Sequence, residues 1–470
     1  MWADVEVADD TADVVVVGAG FAGAVAAVAA QEDGATVILL EKGAEPGGSF
    51  ALSGGYVWTF VSVEAYRRLV PHGDVALGGL VVTEFADGLD WLVSHGVRLG
   101  PPCDGLGPDR EGSGRRVEPD PVSGALTPLL KAFSAAGGQV RCRSRVAGMV
   151  TDPAARVTGV RVQPQQGPPY VISCSAVVLA TGGFQGDAEM MARHVSPWSD
   201  RALLRASPLC TGDGLRAALA AGAAVSGAMN AVYAHVMPAP PAQVEPAAYR
   251  SLTQFYVERC LLLNMRGERF VDESLGDAAC GLALLRQPEA RGFIIFDAAR
   301  HRAAIREPFV PDAVTRDPVE AVRAAHGEVI EAASLAELGA LLQERGVLSG
   351  TSRATITAFD TAAERGDSGT LPVRRARDLH RCSESPFFAV PVQPGVTYTE
   401  GGIKINTECQ ALDRDGRPVP GLYVAGADVG AISNVGYAGA LSAGLITGLR
   451  AGLHGSRWHD TEERSRHRSS

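Results

Sequence analysis

Three glycines spaced as G-x-G-x-x-G, Gly18, Gly20 and Gly23, are followed at the end of the next apolar run by a single acid, Glu41. That set can hold a dinucleotide. Gly18 permits a tight turn, Gly20 lets a pyrophosphate lie against the backbone, and Gly23 lets a helix press onto a strand. Phe21 and Ala22 open that helix, whose free N–H groups and positive dipole end suit phosphate. Glu41 can accept both ribose hydroxyls and repels a 2′-phosphate; Lys42 stands next to it. The elements that must position these residues surround them. Val14 to Val17 is a β-branched run with the look of a strand buried on both faces. An alanine-rich helical segment then runs to Gly34, and a second apolar run, Thr36 to Leu40, delivers Glu41.

FAD and NAD share this fingerprint, so the residues that follow must decide. The stretch "EPGGSFALSGGYVW" places Gly47, Gly48, Ser49, Ser53, Gly54 and Gly55 just past the ribose acid. An extended glycine-rich run suits a cofactor that continues into a ribityl chain and a flat ring, whereas a nicotinamide dehydrogenase would go on alternating strand and helix. Two later strands return the chain to the same place. Ala176 to Leu179 runs into Ala180, Thr181 and Gly182, and "VPGLYVAGADVG" runs into Gly426 and Asp428. Ligands of open α/β sheets sit at such strand C-termini. The reading is FAD.

Bulk properties exclude other classes. Lys and Arg number 43 against 53 acids, a formal charge of −10, which leaves no basic face for nucleic acid or an anionic membrane. The start "MWADVEVADD" lacks a basic segment followed by an apolar one, and no apolar run approaches the roughly 20 residues that span a bilayer. The eight cysteines are scattered without a C-x-x-C pair, so no metal or iron–sulfur site is expected. The expectation is a cytoplasmic protein with reduced thiols.

Taken together, "VGAGFAGAVAA…LLEKGAEPGGSFALSGG", "VVLATGGF", "TGDGLRAALAAGAAV", "RGERFVDES" and "GGIKINTECQALDRDGRPVPGLYVAGADVG" resemble the fumarate reductase/succinate dehydrogenase flavoprotein superfamily. The resemblance implies an α/β chain: a Rossmann-like, glutathione-reductase-like FAD-binding domain made of both chain ends, with an inserted α+β cap. Expected bounds are 1–238 and 391–456 for the FAD domain, 239–390 for the cap, and 457–470 for a disordered tail. Proline-rich residues 236–246 read as the hinge into the cap and 385–395 as the return. "EVIEAASLAELGALLQERG" and "SRATITAFDTAAERG" read as cap helices. The resemblance also places Val146, Asp213, Ala440 and Leu441 at the cofactor, and has Gly401 and Gly402 bring N–H groups to the pyrimidine end of the flavin. No histidine lies between Gly47 and Gly55, where some members attach FAD covalently, so the FAD is expected to be noncovalent.

In dicarboxylate-reducing members, two histidines and two arginines hold and protonate the substrate. One of those histidines matches His235. The other falls on Tyr398, and the two arginines fall on Asp277 and Tyr437. A dicarboxylate needs charge-assisted, preferably bidentate partners, so fumarate or succinate is not the expected substrate. Tyrosines at these sites are similar to the 3-ketosteroid Δ1-dehydrogenases, and Tyr437 matches one of theirs by position. Those enzymes have tyrosine where this chain has Asp277, and their Tyr-Pro-Gly is Tyr437-Ala438-Gly439, so ketone activation carries over and steroid specificity does not.

The resulting expectation is an FAD-dependent oxidoreductase that desaturates or reduces a C–C bond next to a ketone, in a hydrophobic ketone or enone substrate. Hydride passes between flavin N5 and the carbon β to the carbonyl. Tyr437 and His235 stabilise the carbonyl oxygen, and Tyr398 or Asp277 handles the proton. Each assignment has a structural alternative: a satisfied core histidine, a cap of a helix starting at Ala278, packing of Tyr437, stacking of Tyr398. Tyr56 and Tyr256 are weaker candidates, and Arg266 and Arg269 are read as fixing the cap. Two other functions stay open: a tricarballylate-like carboxylate dehydrogenase, and a noncatalytic or electron-transfer flavoprotein.

Overall fold

Val14–Val17 is wholly buried because its strand, Thr11–Val17, has neighbours on both edges and helices on its faces. The computed structural model describes residues 10–305 and 317–469, so most of the acidic N-terminal segment lies outside the described residues. Strands Val37–Leu40 and Tyr170–Leu179 flank Thr11–Val17 in parallel, with Val14 opposite Val37 and Ala176. Gln139–Arg141 extends one side and Pro418–Val424 the other, again in parallel, and Gln410–Leu412 closes that edge antiparallel. Ser144–Thr151 and Val157–Pro164 form a hairpin on Tyr170–Leu179. A separate antiparallel sheet pairs Tyr56–Phe60, Gly112–Val117 and Leu99–Leu106. The first unit comprises the chain up to Met190, Ala206–Val232, and everything from Tyr398 onward.

Its first and last helices, Phe21–Glu32 and Ala440–Ser469, cross at glycines. A Cβ on Gly448 would lie 2.7 Å from the Ala22 carbonyl oxygen, and one on Gly452 would lie 2.4 Å from that of Ala26. Only backbone fits there. The segment read as a disordered tail, 457–470, is helical as far as Ser469.

The second unit takes Met191–Arg205 and Tyr233–Thr397, so it starts earlier and ends later than the expected 239–390. The supposed hinge and return are strands. Val232–Pro238 and Phe387–Thr399 belong to one sheet with Leu261–Asn264, Gly292–Asp297, Ile330–Ala332 and Leu203–Leu204. The prolines misled: Pro391 sits in register opposite Phe293, and its carbonyl takes the Ala239 N–H at 2.9 Å. Strand alternation splits this unit's core in two. Leu262, Ile294, Phe296, Phe388 and Val390 pack on one face, and Leu261, Phe293, Ile295, Phe387 and Ala389 on the other. Residues 330–332, read as helix, are strand because Ile330 pairs Ala389; helix resumes at Leu335–Glu344 and Thr351–Arg365. Arg269 does fix this unit, pairing with buried Glu273, which Arg375 also meets at 3.0 Å; Arg266 lies in the turn that Asn264 caps. Among the described residues no helix is long and apolar enough to cross a membrane, and no cluster could hold a metal.

Candidate functional site

The glycines of the first turn divide into two kinds. Gly18, at φ +105°, lies where a Cβ would be 2.3 Å from the Ala180 carbonyl oxygen, and a Cβ on Gly23 would strike the Gly18 carbonyl. Both are demanded by the fold. Gly20 has only the Gly47 carbonyl at 3.9 Å, and Gly48 has nothing within 4 Å. Their openness is what a pyrophosphate against backbone requires, so the residues present fit FAD. Glu41 is buried, with Oε2 accepting the Ala19 N–H at 3.0 Å and Oε1 the Gly43 N–H at 2.6 Å. Each oxygen keeps a second lone pair for a ribose hydroxyl. Ser49 takes the Ser207 N–H at 3.1 Å, and Ser53 takes that of Gly55 at 3.2 Å.

Several residues expected at the cofactor also hold the protein together. Asp428 accepts from the Thr181 N–H and hydroxyl and, at 3.0 Å, from the Gly183 N–H, tying the ends of two parallel strands. Lys42 bonds Asp213 and Thr211, each at 2.9 Å, and Arg145 closes on Asp213 at 2.7 Å. Burial opposes that charge, but Arg145 and Lys42 prevail and hold the Asp213 carboxyl well below the usual carboxylate range. Gly401 and Gly402 lie where neighbouring backbone leaves no room for a side chain. Their Cβ atoms would lie 2.4 Å from Met229 Cα and 2.3 Å from the Asp428 carbonyl oxygen, and the Gly402 N–H goes to Ser226. Gly426 likewise meets Ala22 and donates its N–H to Thr447 at 2.9 Å. Gly182 at φ +91° would meet Cys210 Sγ, and Gly54, Gly55, Val146, Ala180 and Leu441 lie in the same unit.

The two tyrosines come together. Tyr398 and Tyr437 rings are 6.2 Å apart, and Trp58 meets Tyr437 edge-on at 5.4 Å. Their hydroxyls differ in polarity. Tyr437 accepts the N–H of Ala440, first residue of the last helix, at 3.2 Å. Tyr398 donates to Ser433 Oγ at 2.8 Å, which also takes the Ala438 N–H at 3.0 Å. Sequence reading missed Ser433 and also Glu400, a buried acid that accepts the Val435 N–H at 2.8 Å. A glutamate between Thr399 and a glycine pair was the visible signal for Glu400.

His235 and Asp277 meet within the second unit, both buried. Asp277 is not the cap of its helix, Asp277–Leu285, whose N-cap is Gly276. Its Oδ2 bonds His235 Nδ1 and its Oδ1 accepts the Val236 N–H at 2.7 Å. An ionised carboxylate only accepts, so the imidazole carries its hydrogen on Nδ1 and presents Nε2 as the free ring nitrogen. Burial first, and then the guanidinium of Arg205, push the His235 pKa below the usual imidazole value against the pull of Asp277. Arg205 was also missed. Its guanidinium lies over the Tyr249 ring at 5.6 Å, and its Cδ would be 3.6 Å from a Cβ on Gly395. Nothing in "LLRASPLC" announces it. Tyr256 is core, its hydroxyl on Gln254 at 2.8 Å, and Tyr56 packs beneath Arg116.

Comparison with known proteins agrees with the cradle. A probable fumarate reductase of Shewanella frigidimarina (strain NCIMB 400) is 29% identical over 454 residues, covering 90% of this chain and 71% of that one. The vinyl phenol reductase of Lactiplantibacillus plantarum is 27% identical, covering 96% and 97%. Among solved structures, a 3-ketosteroid-Δ4-(5α)-dehydrogenase from Rhodococcus jostii RHA1 shares the fold, with TM-score 0.74, 22% identity, and coverage of 97% and 98%. The FAD binding domain family matches residues 13–442. The chain therefore belongs to the FAD binding domain family, and FAD is its cofactor.

Proposed function

We propose that the protein reduces, or in reverse desaturates, a C–C bond conjugated to a ketone, with Tyr437 as donor to the carbonyl oxygen and Tyr398 as the proton-exchanging group. When bound, FAD supplies hydride exchange with the carbon β to the carbonyl. The observation that carries the reading is the opposite polarity of the two hydroxyls. Tyr437 accepts an N–H at the start of a helix, which polarises its O–H and strengthens it as a donor to a developing oxyanion. Tyr398 is coupled to Ser433. In reduction Tyr398 gives its hydroxyl proton to the α-carbon, the Ser433 hydroxyl turns to donate to the phenolate left behind, and a proton from solvent restores Tyr398; desaturation runs the exchange backward. His235, whose hydrogen Asp277 holds on Nδ1, offers only a lone pair at Nε2 and so does not donate to a carbonyl oxygen, which leaves that role to Tyr437. Relatives named as fumarate, urocanate and vinyl phenol reductases support a carbon–carbon double bond as the reacting group.

A second reading is an unsaturated carboxylate, favoured by one observation: the Arg205 guanidinium is close enough to depress the His235 pKa. A carboxylate would find there the planar cation that the tyrosine positions lack. The two are separated by photoreducing the FAD-loaded protein without oxygen and offering enones, unsaturated mono- and dicarboxylates. Fast reoxidation by enones is expected. Preferential reoxidation by carboxylates would overturn the ketone reading, and reoxidation by none, with no bleaching by saturated ketones, would favour a noncatalytic flavoprotein. Tyr437→Phe should slow reoxidation by about 100-fold or more with FAD still bound.

A further inference from the structure

We propose that Glu400 is a positioning residue whose buried carboxylate sets the aim of Tyr437, an inference that rests on the proposed role of that tyrosine. The segment 431–438 carries both Tyr437 and Ser433, the partner of Tyr398. Its first and fifth residues lie in the left-handed region: Ala431 at φ +74° and Val435 at φ +56°. A β-branched residue rarely adopts that conformation, and it persists only where the surroundings impose it.

The surroundings divide the work. Asp74 donates its N–H to the Ala431 carbonyl at 2.8 Å, the Tyr66 hydroxyl bonds the Ile432 carbonyl at 2.8 Å, and Asn434 bonds the His72 carbonyl at 2.8 Å. Those contacts hold the first half of the loop. Glu400 grips both left-handed residues. Its carbonyl oxygen takes the Ala431 N–H at 3.0 Å, and its carboxylate takes the Val435 N–H at 2.8 Å. Its own N–H is fixed on the Ala231 carbonyl at 3.0 Å, so the grip has a rigid base. Val435 is exposed and two residues before Tyr437, so no packing of its own side chain holds its backbone. The carboxylate does. Because Tyr398 and Glu400 are two residues apart on the same backbone, one segment fixes both hydroxyls relative to each other.

The test uses the FAD-loaded full chain and the fastest-reacting enone of the panel, measuring kcat, KM and retained FAD. Glu400→Ala should lower kcat by roughly 30-fold, with KM and retained FAD changed by less than about twofold, as expected of a misplaced catalytic group. Glu400→Gln keeps an oxygen for the Val435 N–H and should stay within about threefold of the native rate. In a Tyr437→Phe background, Glu400→Ala should add nothing, since residues acting as a unit are not additive. Full additivity, a Gln variant as slow as the Ala variant, or parallel loss of FAD and turnover would overturn the role of Glu400 while leaving the proposed function standing. A normal rate in Tyr437→Phe, or no enone that reacts, would instead sink the proposed function. The Cζ resonance of 13C-labelled Tyr437 then decides for Glu400: displaced in Glu400→Ala and native in Glu400→Gln supports positioning, and an unmoved resonance overturns it.

Discussion

Replacing Asp277 tests whether the second unit's histidine is held in one tautomer. In Asp277→Ala, two buried donors lose their acceptor, the Val236 N–H and the His235 Nδ1–H. At about 1–3 kcal/mol for each unsatisfied donor, the cost is about 2–6 kcal/mol. Asp277→Asn behaves differently. Its amide oxygen still accepts the Val236 N–H, but its NH2 must face Nδ1 and donate, so the imidazole hydrogen moves to Nε2. Replacing one charge-assisted bond by a neutral one costs about 1–2 kcal/mol, far less than the alanine variant. The asparagine variant should therefore fold and bind FAD while presenting an Nε2–H donor in place of a bare Nε2. Nitrogen-15 NMR of labelled histidine reads the tautomer, thermal melting reads stability, and flavin reoxidation reads turnover. Retention of Nδ1–H in Asp277→Asn, or a loss under about 1 kcal/mol in Asp277→Ala, would refute the reasoning.

Gly452→Leu should destabilise the first unit by about 3 kcal/mol or more, since its Cβ would lie 2.4 Å from the Ala26 carbonyl; thermal release of flavin fluorescence measures it. Gly416→Ala, at φ +78° but with nothing within 4 Å, should cost only about 1 kcal/mol in the same assay. His235 is kept neutral in the fold, first by burial and then by Arg205, with Asp277 opposing. The unfolded chain therefore takes up a proton at about pH 6.5 that the folded chain does not, so stability falls as pH drops below that value. His235→Gln should flatten this limb of the melting curve against pH.

What the sequence disclosed depended on whether backbone or side-chain chemistry carried the signal. The turn at Gly18, Gly20 and Gly23 was legible because a strand, a helix and a terminal acid each constrain its spacing. At Gly401 and Gly402 the glycine pair signalled a close approach, and the structure adds one partner the sequence did not name, the backbone of Met229 and Asp428. Sequence marks that something comes near a glycine without saying what. Prolines misplaced the unit boundaries, because a strand can carry Pro391 through its carbonyl bonds while composition sees only a breaker. Tyr398, Tyr437, His235 and Asp277 were singled out by position, and the pairing of the last two follows from strand Val232–Pro238 meeting helix Asp277–Leu285. Arg205 and Ser433 had no local pattern; only tertiary placement makes them interesting.

The clasp between Thr181 and Asp428 spans 247 residues of chain. Strand Pro418–Val424, which completes the parallel sheet, comes just before Asp428, and the helix whose glycines seat the first helix comes after it. Synthesis at 5–20 residues per second separates the two halves of the clasp by roughly 12–50 s. Throughout that interval the nascent N-terminal portion displays a half-made sheet with an open edge next to a finished glycine turn. A fragment that stops short of Pro418 therefore leaves Val177–Leu179 without a partner on that edge of the sheet.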